Sequence, residues 1–436
     1  KGDLGRIGLA ITPSEPQIVY ALVEAKTNAL YKSTDGGHAW KKIADENIGN
    51  RPFYYADIFV DPKNENRIWN LHSQVSKSED GGKTFEMVLP FEWFGGVHPD
   101  HHAFYIHPDH PNFLLNGNDG GLNISRDGGK TWRFVSNLPL AQFYHINYDM
   151  DVPYHVAGGM QDNGSWVGPS TTWKRGGIRN SDWQEVYFGD GFDVVFDATD
   201  NRYLYAMSQG GNLAYIDRHT GKSQFIQPVH PEGVELRFNW NAGIAQDPHN
   251  PNGIYFGSQF LHYTTDHGQR WRQLSPDLTT NDTSKQKQYL SGGLTIDDTR
   301  AENFTSIIAI APSPHDADVI WVGTDDGTLQ LTRDRGQSWT NLADRLPEAR
   351  SGSWIPQIVV SPHRAGEAFV VVNDYRRNDW RPMLYHTTDY GASFRRIVDE
   401  EQVDGHALSI VQDPEAPNLL WLGTDHGLYV SFNKGA

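Results

Sequence analysis

Apolar and polar residues alternate along most of the chain in runs of about five to eight, rich in Ile, Val, Tyr, Phe and Trp and bounded by Pro, Asn, Asp and Gly. RIGLAITPSEPQIVYALV, HAFYIHPDHPNFLLNG, IIAIAPSPHDADVIWVG and LSIVQDPEAPNLLWLG each join two such runs through a Pro-rich turn. A period of two belongs to a strand with one buried face, and no long 3.6-period segment competes with it. The pattern predicts an all-β chain of short antiparallel strands joined by tight turns.

A second signature follows the paired runs. A hydroxyl residue, Asp two later, Gly four later and an aromatic seven later recur in STDGGHAW (Ser33, Asp35, Gly37, Trp40), SEDGGKTF (Ser78, Asp80, Gly82, Phe85) and SRDGGKTW (Ser125, Asp127, Gly129, Trp132). TTDHGQRW (Thr264, Asp266, Gly268, Trp271), TRDRGQSW (Thr332, Asp334, Gly336, Trp339) and TTDYGASF (Thr387, Asp389, Gly391, Phe394) repeat it. The Asp step from 35 to 80 is 45 residues, from 80 to 127 is 47, and from 127 to 266 is 139, room for two degenerate units between intact ones. The steps of 68 and 55 that follow hold loop insertions at 277–303 and 374–383. Units then begin near Arg6, Tyr54, Val97, Gln142, Gly189, Leu236, Phe304, Ser353 and Gly405. A repeat of this length, with four strands and the Asp turn between the third and fourth, is a β-propeller blade. The Asp carboxylate accepts turn N–H groups, Gly supplies positive φ, and the aromatic buries against the next sheet.

These turns resemble the Asp-box of the neuraminidase-repeat (BNR) propellers. The resemblance spans the chain and is nearest to sortilin-type receptors and to large bacterial extracytoplasmic repeat proteins. VHPDHHAFYIHPDHPNFLLNGNDGGLNISRDGGKTW and FYHINYDMDVPYHVAGGMQDNGSWVGPS carry the bacterial likeness. It implies a propeller with Asp-box turns, either one large ring of about ten blades or parts of two rings of about seven. It also implies an extracytoplasmic location and peptide capture inside the ring. The cysteine-rich module that follows sortilin-type propellers is missing, and so is the Arg-rich pattern of sialidases. The box itself occurs in glycosidases and in non-enzymes alike.

Composition narrows the function classes. With 37 basic against 54 acidic residues the formal charge is −17, which opposes nucleic acid and anionic membranes and favours neutral or cationic ligands. There is no Cys, so no disulfide, thiolate metal site or cysteine nucleophile is available. No apolar run reaches the roughly 20 residues of a membrane helix. The chain starts at Lys1 without Met and ends at SFNKGA, where Ser431, Asn433 and Gly435 keep the box spacing, so a piece of a longer chain or complex is expected.

In a four-stranded meander the first and third turns share one end of the sheet, and the second turn and the connection to the next sheet share the other. The Asp-boxes fall at the first end. At the other, polar residues recur: Asp119 in NGNDGG, Gln161, Asp162 and Asn163 in GGMQDNG, Asp190 and Asp193 in YFGDGFD, Asp325 and Asp326 in GTDDG, and Asp425 with His426 in GTDHG. Such acids either satisfy their own Gly-rich turns or supply the carboxyl pair of a glycoside hydrolase. Catalytic candidates are Asp119, Asp162, Asp190, Asp325 and Asp425. His98, Asp100, His101 and His102 form the densest cluster, but adjacent strand residues point to opposite faces, so a loop contact or ligand contact is expected ahead of a metal. His107, His110, His249 and His315, beside Pro in first turns, are expected to be solvated. The degenerate fourth unit carries Trp166, Trp173, Lys174, Arg175, Arg179, Asp182 and Trp183, with Trp166 or Trp173 expected to replace the box aromatic. Arg376, Arg377, Asp379, Trp380 and Arg381 form the best local basic patch. The ligand-binding set is therefore His98, Asp100, His101, Gln161, Asn163, Arg179, Trp183 and Trp380, with no cofactor or metal. The expected function is capture of a peptide, protein or oligosaccharide. A xyloglucanase-like glycoside hydrolase using paired Asp residues is the alternative, and an assembly scaffold is a second.

Overall fold

The computed structural model describes residues 2–49, 51–55, 57–90, 96–138, 140–299 and 301–435. The described residues form nine antiparallel meanders, eight of four strands and a last one of three. No α-helix occurs among them, only short 3-10 turns such as Asn180–Asp182 and Tyr375–Arg377, and no helix is long and apolar enough to cross a membrane. These are the blades of a β-propeller. Strand order within each sheet follows chain order, as period-two runs joined by tight turns require.

The chain divides into two compact units. The first, Lys1–Ala141 with Tyr289–Thr299, holds three sheets whose first strands are Ile7–Ile11, Asp57–Asp61 and His101–Ile106. Leu22, Leu30, Ile58, Ile68 and Phe85 fill the space between its first and second sheets, and Trp69, Leu71, Phe104 and Leu114 that between its second and third. The second unit, Gln142–Gln288 with Arg300–Ala436, holds six sheets, whose first strands begin at His145, Val194, Ile244, Ile307, Trp354 and Ala407. Its seams are packed by residues such as Phe192, Tyr205 and Phe256, or Trp321, Leu329, Ile355 and Val370. The core thus lies between sheets rather than within one layer.

The Ser/Thr-x-Asp-x-Gly turns brace one end of each intact sheet. In the second sheet Ser78 Oγ donates to Asp80 Oδ1 at 2.8 Å and accepts Gly82 N at 2.9 Å, while Asp80 Oδ1 accepts Lys83 N and Thr84 N, both at 3.0 Å. Asp35, Asp127, Asp266, Asp334 and Asp389 accept the N–H four residues on in the same way. The hydroxyls of Thr131, Ser338 and Ser393 bond Asp127, Asp334 and Asp389 as well, and with the N–H bonds, which lead for Asp80, they hold these four carboxyls down at about 2. A turn N–H then reaches back to the first turn of the same sheet, as Gly81 N does to Asn66 O and Tyr390 N to Gly366 O, so both turns share one end.

Three details differ from the sequence expectation. In the fourth sheet the box aromatic is replaced by Trp183, the residue just before the fourth strand Gln184–Tyr187, whose ring covers Gly168. Trp173 is fully exposed, and Trp166 instead donates to Asn163 O at 2.6 Å. The 374–383 insertion is only half loop, since Asp379–Thr387 continues as a nine-residue strand. Finally, His249 and His315, although exposed, are tied to the next sheet through Nε2, at 2.9 Å from Ser313 O and 3.0 Å from Ser361 O.

Candidate functional site

Each unit gathers polar chemistry at the end of its sheets opposite the Asp turns. In the first unit the backbone enters strand His101–Ile106 through Asp100, held in the left-handed region at φ 62°. Tyr55 Oη donates to Asp100 Oδ1 at 2.5 Å, lies 2.5 Å from Ser73 Oγ and accepts Arg51 Nη1 at 2.8 Å. Arg51 Nε in turn donates to Asp297 Oδ2 at 2.9 Å. Strand alternation then separates the two histidines. His101 points inward and its Nδ1 lies 2.9 Å from Asn116 Oδ1, while His102 points out and its Nε2 lies 3.0 Å from Asp119 Oδ1. Burial pushes His101 down to about 4, and buried His72 likewise, so both are neutral, whereas the bond to Asp119 raises His102. His98 Nδ1 donates to its neighbour Pro99 O at 3.0 Å. The cluster therefore does not converge on one ion. It does bring single carboxylate oxygens of Asp100 and Asp119 within 4.8 Å of each other.

In the second unit the glycines of GGMQDNG and YFGDGFD let two backbone segments touch. A Cβ on Gly159 would sit 2.1 Å from Gly191 C and Phe192 N. That approach places Asp190 so that Oδ1 accepts Asp162 N at 3.0 Å and Oδ2 accepts Trp240 Nε1 at 2.9 Å. Tyr144 Oη donates to Gln161 Oε1 at 2.5 Å, and Asn163 Nδ2 donates to Gln161 O at 2.8 Å. Burial, then the charges of Asp190 and Asp162 and the nearby Tyr375, raise the Tyr144 phenol. Next to it His145 Nδ1 lies 2.5 Å from Asp193 Oδ2; burial opposes its charging, but Asp193 prevails and its pKa is raised.

Two of the acid candidates further along are consumed by their own frame. Asp325, wholly buried, accepts Ser306 N at 2.8 Å, Ser306 Oγ at 2.6 Å and Asn239 Nδ2 at 2.8 Å, and burial lifts its carboxyl to about 7. Asp425 accepts His406 N at 2.9 Å. Asp326 accepts Thr280 N and Oγ1 at 2.7 and 2.6 Å, fastening the start of the 277–303 insertion.

Aromatic rings stay open beside them. Tyr375 lies 4.5 Å from His406 and 5.9 Å from Trp380, and the ring of Trp380, half exposed, is fixed by Nε1 donating to Asn378 Oδ1 at 3.0 Å. Arg179 and Trp183 belong to the opposite end of the fourth sheet, where Arg179 N donates to Asp182 Oδ2 at 2.9 Å and Lys174 also pairs with Asp182. They do not join the other candidates. A third acid and histidine group, Asp149, Asp151 and His155, has ligand atoms within 4.8 Å of one another, but Asn201 donates to both carboxylates and Arg218 reaches His155 Nε2. It is a knot between adjacent sheets.

Sequence inspection missed Tyr55, Arg51, Tyr144 and Trp240, which carry no motif. Their only signal is that polar-tipped aromatics stand next to the connections between sheets.

No protein-family model matches the chain, and no curated protein matches it. Among solved structures it is similar to the GH74 xyloglucanase of Xanthomonas campestris, at 15% identity over 100% of this chain and 86% of that one with a TM-score of 0.24. An ancestral GH74 enzyme shows 14% identity over 99% and 72% with a TM-score of 0.28. Sqt1 of Chaetomium thermophilum shows 12% over 100% and 96% with a TM-score of 0.44.

Proposed function

We propose that the chain is an extracytoplasmic propeller of the Asp-box type that binds a peptide, protein or glycan ligand on the polar turn end of its second unit. One observation supports this most. Asp190, Asp325 and Asp425 accept hydrogen bonds from their own or adjoining turns, while Tyr144, Trp240, Tyr375 and Trp380 leave ring surface beside them. Engaged acids with open aromatic anchors suit recognition rather than bond cleavage. With a formal charge of −17, neither nucleic acid nor an anionic membrane surface is a fitting partner. Screening the full chain against glycan and peptide panels tests the reading. Binding that is lost in Trp380→Ala and weakened in Tyr144→Phe supports it; ligands that ignore both changes refute it.

A second reading rests on the first unit. Asp100 and Asp119 offer oxygens within 4.8 Å, with Tyr55 donating to one and His102 to the other, and a retaining glycosidase needs carboxyl groups about 5–5.5 Å apart. Release of reducing ends from a glycan hit, abolished by Asp100→Asn and by Asp119→Asn, would make the chain a glycoside hydrolase and displace pure binding.

A further inference from the structure

Arg376 differs from the arginines around it. Arg350 Nη1 and Arg377 Nε both donate to the buried Asp374, at 3.3 and 2.6 Å, and Arg377 also reaches Ser351 O and Ser353 Oγ. Arg381 clasps Asp379 with Nε and Nη2 at 2.9 and 2.7 Å. Arg376 instead stands over rings: its guanidinium carbon is 3.4 Å from the centre of the Trp354 ring and 4.5 Å from that of Tyr375. Among the described residues no carboxylate lies within 4.0 Å of it. More than a third of its surface is open, yet the surrounding groups desolvate it enough to lower its pKa, with the charge of Asp325 acting in the other direction.

The chemistry of that arrangement is selective. The rings cover the guanidinium, one N–H bonds the Tyr375 side chain, and among the described residues the group makes no other hydrogen bond, which leaves donors of the planar fork that matches a carboxylate. Arg350 and Arg377 both pair with Asp374 and Arg381 with Asp379, so the carboxylates nearest Arg376 in the chain are matched by other arginines and its own charge has no ion-pair partner among the described residues. A multiply charged anion would meet the whole −17 field, whereas a singly charged carboxylate is opposed less. Trp380, held by Asn378, supplies a flat, half-exposed apolar face at the same corner, of the kind on which the C–H face of a sugar ring stacks.

We propose that Arg376 and Trp380 form a subsite for a uronic-acid residue of an oligosaccharide, the carboxylate on the Arg376 fork and the pyranose ring on Trp380. The proposal rests on the binding reading above and names the charge and class of the ligand. It departs from the expectation, drawn from net charge alone, that neutral or cationic ligands are favoured.

The test is calorimetric titration of the full chain with neutral oligosaccharides that carry a single galacturonate, mannuronate or glucuronate residue, each beside its methyl ester, which keeps the ring and removes the charge. At least one acid form is expected to bind more than tenfold tighter than its ester. Arg376→Gln is expected to abolish that preference, Arg376→Lys to restore only part of it, and Trp380→Ala to weaken acid and ester alike. Equal binding of acid and ester, or a preference that survives Arg376→Gln, overturns the carboxylate subsite while leaving the binding face intact. Failure of every uronate while a neutral glycan or a peptide binds also overturns it. Failure of all glycans and peptides refutes the binding reading itself. Circular dichroism of Arg376→Gln, expected to match the parent, separates loss of the fork from loss of the fold.

Discussion

Ser78 is nearly inaccessible, and its hydroxyl serves two partners, donating to Asp80 and accepting the N–H of Gly82, which sits at φ 85°. Removing it strands a buried donor, so Ser78→Ala is expected to cost about 1–3 kcal/mol in urea unfolding. Ser78→Thr, which keeps the hydroxyl as in three sister turns, should cost little. Asp325 makes the opposite kind of prediction. Its carboxyl is raised from the usual carboxylate range to about 7, so the unfolded chain gives up this proton at lower pH than the native one. Stability from this group is complete below about pH 4 and is lost as pH rises toward 7, with a slope of up to about 1.4 kcal/mol per pH unit. Asp325→Asn should flatten that part of a stability-against-pH profile, and an unchanged profile would show that the carboxyl titrates normally. The turn role of the box Asp residues was legible because spacing alone dictates it. The state of Asp325 was not, since its partners Ser306 and Asn239 lie 19 and 86 residues away.

Strands and turns were the most legible scale, for period two and Pro or Gly punctuation act locally. Close approach between elements is not local, and there the reading faltered. Trp183 rather than Trp166 or Trp173 fills the box position of the fourth sheet because what counts is the residue before the fourth strand, and a long connection had hidden where that strand starts. His249 and His315 are exposed as expected, but their anchoring was not legible because their acceptors, Ser313 O and Ser361 O, belong to the next sheet. The glycines of GGMQDNG and YFGDGFD read as turn formers, yet Gly159 is a strand residue that needs to be small because backbone lies where its Cβ would go. Neither Gly191 C nor Phe192 N can yield as a flexible side chain would. Gly159→Ala is therefore expected to destabilise by at least the roughly 1–3 kcal/mol of an overpacked core. It should also move Asp190 away from Trp240, seen as a shift in tryptophan fluorescence together with weaker ligand binding. Wild-type fluorescence and affinity in that variant would mean that the two segments are not in contact.

At the scale of the whole molecule, net charge was legible from composition but its distribution was not. Arg350 and Arg377 are 27 residues apart and share Asp374 only because a connection between sheets and a strand-joining turn share one end. The two levels make separable kinetic predictions for an anionic ligand. Far from the surface it meets the repulsion of a −17 molecule, which reaches roughly 30 Å at 0.01 M salt and only about 10 Å at 0.1 M. In contact it meets a guanidinium half enclosed by rings, where salt screens much less. Raising NaCl from 0.01 to 0.1 M should thus speed uronate association several-fold and change dissociation by a smaller factor, so that affinity rises with salt. Basic grooves that draw anions from a distance behave in the reverse way. Surface plasmon resonance of an acid oligosaccharide and its methyl ester decides the matter: the ester should show no salt effect on association. An acid form whose association slows with salt would be steered by a positive field, and the Arg376 corner of this acidic chain would not be its point of entry.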